Sequence, residues 1–145
     1  MIILREAIIE DYRELHKINS LALGYKFDQE KTRKNLEYIL SKSYYKLIVA
    51  CDEEKPIGYI QGADYDNTYF EPLKNIMGLA VLDDYRGKGI GKMLILALED
   101  WARKTGAVGV RLVSGYNRTE AHGFYAHMGY ELRKEQKNFI KFFSL

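Results

Sequence analysis

At 145 residues the chain fits one domain, and its 47% hydrophobic and 29% charged residues supply a core and a solvated surface. Two prolines against twelve glycines exclude a disordered or collagen-like chain. The 22 basic and 20 acidic side chains leave a net charge of +2, too small to argue for nucleic acid, and the single cysteine, Cys51, can form neither an internal disulfide nor a metal cluster.

A lone thiol suits a reducing, cytoplasmic setting. The apolar start Met1-Ile2-Ile3-Leu4 is broken at once by Arg5 and Glu6, so it reads as a short strand and neither a signal peptide nor a membrane span. A helical pattern opens at Glu10-Asp11, carries Leu15, Ile18 and Ala22 on one face, and stops at Gly24. A second helix starts after Asp28 as N-cap and presents Leu36, Ile39 and Leu40. The period then changes to that of strands at Tyr45–Cys51 and Pro56–Ala63, joined by the turn Asp52-Glu53-Glu54-Lys55.

Residues 64–71 read as a polar, aromatic loop, and Ile76–Leu82 as a central strand buried on both faces. A helix follows with Ile90, Leu94, Ala97, Leu98 and Trp101 in register, ending near Arg103, Lys104 and Gly106. Val108–Val113 predicts a strand, and Asn117 with Glu120 has the spacing of a capping box opening a short helix that ends at Gly129. Tyr130–Arg133 and Asn138–Phe143 read as closing strands. The order β-α-α-β-β-β-α-β-α-β-β predicts a mixed α/β sheet with helices packed on it, in one domain over residues 1–145.

The chemistry concentrates at Arg86-Gly87-Lys88-Gly89-Ile90-Gly91-Lys92, between a strand and a helix. Glycines at alternate positions leave backbone N–H groups unobstructed at a helix N-terminus, where unpaired donors and the helix dipole attract anions. A Walker loop would require glycine at Arg86, and a Rossmann fingerprint would require one at Lys92, so both patterns fail. What remains is a glycine-rich turn with solvated lysines, or a pyrophosphate loop of another kind.

Arg86-x-x-Gly89-x-Gly91 after a buried strand resembles the acyl-CoA loop of the GNAT superfamily of N-acyltransferases. Leu79-Ala80-Val81 resembles that family's central strand, and Asn117-x-x-x-Ala121-x-x-x-Tyr125-x-x-x-Gly129-Tyr130 its second hallmark. The resemblance covers essentially the whole chain and implies a GNAT-like fold whose central strands splay to hold pantetheine. It implies acetyl-CoA as co-substrate, with its pyrophosphate on Arg86 to Lys92 and its pantetheine on the backbone of Leu79, Ala80 and Val81. It further implies the Val81 N–H as oxyanion donor and Tyr125 as general acid. Asn117 can cap its helix, contact the co-substrate, or do both. Tyr125 and Phe124 also have a plain reading as core aromatics.

The base is not assigned. Asn75 stands where many relatives place a strand carboxylate; Glu71 is the working candidate, with Asp64 and Asp66 beside it, and all three can equally be solvated loop acids. No metal is implied, because His122 and His127 fall on different helix faces without a third ligand. Tyr25, Phe27, Tyr65, Tyr69 and Phe70, with the nearby acids, suit a cationic small-molecule or peptide amine. The implied activity is acetyl transfer to a primary amine within a ternary complex; the alternative is an acyl-CoA-binding sensor or interaction module. Neither reading involves nucleic acid or a membrane, and a homodimer stays open. The acceptor and the acyl chain length are not legible.

Overall fold

The computed structural model describes residues 1–145. Its elements run β1 (Ile2–Glu6), α1 (Tyr12–Leu23), α2 (Gln29–Leu40), β2 (Tyr45–Asp52), β3 (Lys55–Tyr65), β4 (Leu73–Val81), α3 (Ile90–Lys104), β5 (Gly109–Leu112) and α4 (Thr119–His127). The chain divides into two compact units, Met1–Leu112 and Val113–Leu145.

In the first unit the five strands lie in chain order, antiparallel from β1 to β4, with β5 parallel to β4. The apolar centres of β2 and β3 are buried because helices cover both sides of the sheet. Leu15 and Ile18 of α1 and Leu36 of α2 pack with Leu47, Val49, Tyr59 and Ala80 on one side. On the other, α3 buries Ile90, Leu94, Ile95, Leu98 and Ala102. There Gly62 is the required small residue: a Cβ would lie 2.6 Å from Leu98 Cδ1. The helix ends follow local chemistry, with Asp28 accepting from the Lys31 N–H at 3.0 Å and Gly24 closing α1 at φ +75°. Leu40, assigned to the apolar face of the second helix, is exposed. No helix is long and apolar enough to cross a membrane.

Two departures from regular pairing shape β4. Gln61 opposes Gly78 while Gly62 opposes Ile76, so Met77 is an extra, bulged residue. The bulge reverses which side chains face which helices. Before it, Lys74 stacks on Trp101 of α3, and Ile76 lies opposite Gly62; after it, Gly78 and Ala80 lie on the Tyr59 side with α1. Secondly, β5 pairs only with Leu73–Ile76, so Met77–Val81 are hydrogen-bonded to β3 alone. This corrects the expectation of a strand buried on both faces: Met77 is 54% exposed, and Leu79 and Val81 are half-buried.

The second unit contains α4 as its one regular element. Its N-cap is Arg118, with no side-chain cap, so Asn117 does not form the expected capping box. The strands expected at Tyr130–Arg133 and Asn138–Phe143 are not formed. Leu132, Phe139, Ile140 and Phe143 are all exposed, and an alternating pattern with no face to bury gives little reason to pair.

Candidate active site

The β4–α3 junction is held by the sheet and left open at its tip. Leu82 N–H donates to Ile57 O at 2.9 Å, and the Tyr85 hydroxyl donates to Asp52 Oδ2 at 2.5 Å, tying the turn to the β2–β3 hairpin. That carboxylate raises the Tyr85 phenol above its ordinary pKa by fixing the hydroxyl proton. Gly87 and Gly89 adopt φ of +76° and +79°, a region open chiefly to glycine, and neither has a neighbour within 4 Å of where a Cβ would stand. Gly89 is the N-cap of α3, and the first intrahelical donation recorded across this end is Met93 N–H to Gly89 O at 3.1 Å. The N–H groups from Gly89 to Lys92 thus have no helical acceptor.

The first turn of α3 carries no acid to neutralise it. Arg86 pairs with Asp83 at 3.1 Å, Lys88 lies 5.3 Å from the Tyr85 ring centroid, and Lys92 is exposed. The residues present fit a pyrophosphate: free backbone donors, a dipole of the right sign and three exposed cations.

The same chain segment prepares a second set of donors. In an antiparallel ladder, residues alternate between exchanging hydrogen bonds with the partner and pointing away from it. Since Leu82 bonds to Ile57, the N–H and C=O of Val81 and Leu79 point away from β3, toward the side that β5 leaves unpaired. Leu79, Ala80 and Val81 therefore lead into Arg86–Lys92 as one continuous polar edge, and the Ala80 side chain between them is buried.

The acids distribute differently. Asp64 lies opposite Lys74 and pairs with its Nζ at 2.5 Å; Lys74 is buried and stacks 4.4 Å from the Trp101 ring centroid. Asp64 is thereby committed to the α3 face. Glu71 and Asp66 are exposed in the link between β3 and β4. Asn75 Oδ1 accepts from Arg111 Nη1 at 2.6 Å, and the guanidinium lies 4.2 Å from the Tyr65 ring centroid. Nothing in the sequence reading singled out Arg111. The aromatic residues Tyr25 and Phe27, between α1 and α2, and Tyr69 and Phe70, between β3 and β4, are exposed.

In the second unit, Tyr125 is half-buried, edge-on to Phe124 and Tyr130, with ring centroids 5.5 and 6.1 Å away. Burial pushes its phenol pKa up, offset in part by Arg118, so the hydroxyl keeps its proton at neutral pH. Asn117 is exposed just ahead of α4, and His122 Nε2 bonds Gly115 O at 2.8 Å.

The acetyltransferase (GNAT) family profile matches residues 5–130, a span that runs through both units. An uncharacterized N-acetyltransferase of Bacillus subtilis (strain 168), YhdJ, is 33% identical over 106 residues, 63% of this chain and 73% of its own. Among solved structures, a transcriptional regulator from Bacillus halodurans C-125 aligns with a TM-score of 0.88 at 21% identity, covering 97% of this chain and 100% of its own. AAC(6')-Iy in complex with the bisubstrate analogue CoA-S-monomethyl-acetylneamine aligns with a TM-score of 0.85 at 19% identity, over 97% and 98% of the two chains. At these identities the solved structures speak to the fold.

Proposed function

The chain belongs to the GNAT acetyltransferase family, and from that premise we propose that it is an acetyl-CoA-dependent N-acetyltransferase acting on a primary amine within a ternary complex. The observation that carries the reading is the unpaired edge of β4, which leads through the short 3-10 turn Asp83–Tyr85 into the glycine turn at the start of α3. Leu79 and Val81 offer outward backbone groups to an extended amide-bearing arm, and Gly87–Lys92 offer donors and cations to a pyrophosphate.

In this reading the Val81 N–H donates to the thioester oxygen as negative charge develops there during attack by the amine nitrogen. The Tyr125 hydroxyl gives its proton to the departing sulfur, and the nitrogen releases its own proton to solvent or to an exposed acid such as Glu71. Holding both reactants on one edge removes much of the orientational cost of the encounter. In this reading residues 1–145 act as one transferase domain. The lone Cys51, buried and with its thiol pKa raised by that burial, suits a reducing cytoplasm and no catalytic part.

One observation favours binding without turnover: Asn75, at the strand position suited to a base, is amidic and engaged by Arg111. Tyr125→Phe separates the readings. It keeps the ring packing while deleting the proton donor, so turnover should fall about 10²–10⁴-fold, toward the lower end because a thiolate leaves readily, while acetyl-CoA affinity holds. Steady-state thiol release on an accepted amine, paired with calorimetry, checks this. Wild-type turnover in the variant, with chemistry rate-limiting, removes Tyr125 from the mechanism; absence of thiol release from the wild-type protein on a broad amine panel favours the sensor.

A further inference from the structure

Arg111 occupies an unusual position for a charged side chain. It sits on β5 directly opposite Asn75 of β4, in the last stretch where those strands still pair. It lies on the sheet face opposite to Lys74 and Trp101, and is half-buried there. Its one hydrogen bond to protein runs from Nη1 to the neutral Asn75 amide oxygen, and no carboxylate lies within ion-pairing distance. The acid that could have balanced it, Asp64, is paired with Lys74 on the other face. A guanidinium has five N–H donors in a rigid planar fork, so one bond leaves an edge able to grip an oxyanion at two points. Asn75 and the Tyr65 ring fix the plane of that fork. The stack on Tyr65 also means that this aromatic face, which would suit an ammonium group, already holds a cation.

We propose that Arg111 is a specificity-determining residue for the acceptor, and that the acceptor is a primary amine carrying a carboxylate or phosphate group, which the guanidinium grips. The inference rests on the transferase reading and deepens it. The oxyanion seats where β4 and β5 are still paired, and Val81 lies six residues further along β4, roughly 16–20 Å away at about 3.3 Å per residue, so the acceptor carries its anion a peptide-like length from its amine.

The test uses the full chain, saturating acetyl-CoA and matched amines long enough for that span: tetraglycine against tetraglycine amide for carboxylate, triglycyl-phosphoserine amide against triglycyl-serine amide for phosphate, and triglycyl-lysine amide as the cationic diamine. At least one anionic member should exceed its neutral partner in kcat/KM by about tenfold or more, a ratio expected for a charge-assisted bidentate contact. Arg111→Gln should bring that ratio to near one. Asn75→Asp, which keeps the guanidinium but supplies its missing carboxylate, should do the same, and it guards against a folding defect peculiar to the arginine variant.

A wild-type preference for the neutral amines or the diamine, or a ratio unchanged in both variants, overturns the proposal while leaving the transferase reading intact. The transferase reading fails on its own if no amine releases thiol yet calorimetry in the presence of CoA shows Arg111-dependent binding of tetraglycine or triglycyl-phosphoserine amide. Neither turnover nor binding of any anionic amine overturns the proposal as well.

Discussion

Gly89 combines two features in one residue: a left-handed φ of +79° and, at the α3 N-terminus, open space where a Cβ would stand. A Cβ there would meet no protein atom within 4 Å, so the effect of valine falls chiefly on the backbone conformation and on anything seated against the turn. The left-handed conformation costs a β-branched residue about 1–2 kcal/mol, tolerable for a folded chain. Gly89→Val should therefore remain folded by circular dichroism yet bind acetyl-CoA at least about tenfold more weakly by calorimetry, as expected when a close backbone approach is blocked. Unchanged affinity in a folded variant would take the pyrophosphate away from this turn. The glycine turn was legible from sequence because its chemistry is local, seven consecutive residues between a strand and a helix. Arg111 was not, because its partners Asn75 and Tyr65 are distant in the chain and only strand register brings them together.

At the scale of elements, β3 and β4 join the covering helices to the candidate site. Tyr59 projects from β3 into the α1 side of the core, and its hydroxyl donates to Asn19 Oδ1 at 2.5 Å. Burial raises its phenol pKa from 10.0 to about 12. A raised acid means that the folded state holds its proton more tightly than the unfolded chain. That contribution is complete below pH 10 and is lost as pH climbs through about 12. At pH 11 the loss amounts to about 1.4 kcal/mol. Urea unfolding at pH 8 and pH 11 should show wild type losing that much more stability over the interval than Tyr59→Phe, whatever the variant loses at pH 8 with its hydrogen bond. Equal losses would mean the phenol ionises freely in the folded protein. The core helices and the β2–β3 hairpin were legible because their apolar periods are sustained. The bulge at Met77 left only a faint mark, Gly78 within a strand, and the closing strands were read from an alternation that no buried face supports.

For the molecule as a whole, the small net charge conceals a local concentration of cations on Arg86, Lys88 and Lys92, all exposed. Raising salt from 0.05 to 0.5 M shortens the screening length from well over 10 Å to a few Å, so acetyl-CoA should bind severalfold more weakly at the higher salt. Titrations at both ionic strengths would show this, and salt-independent affinity would mean that these side chains do not face its phosphates. The mixed sheet with helices packed on it follows from element order alone, while the coverage of both its sides and the division at Leu112 had no counterpart in composition. The bulged Met77 also bears on how such chains can diverge. It acts as a parity switch: odd positions such as Asn75 share a face before it with even positions such as Ala80 after it. Losing or gaining one residue anywhere between Leu73 and Val81 would exchange the two faces of half the strand at a stroke. Length variation among descendants of this chain is therefore barred from β4 and is free to accumulate in the links on either side, so that an acceptor can change while the edge proposed for the acyl donor is inherited intact.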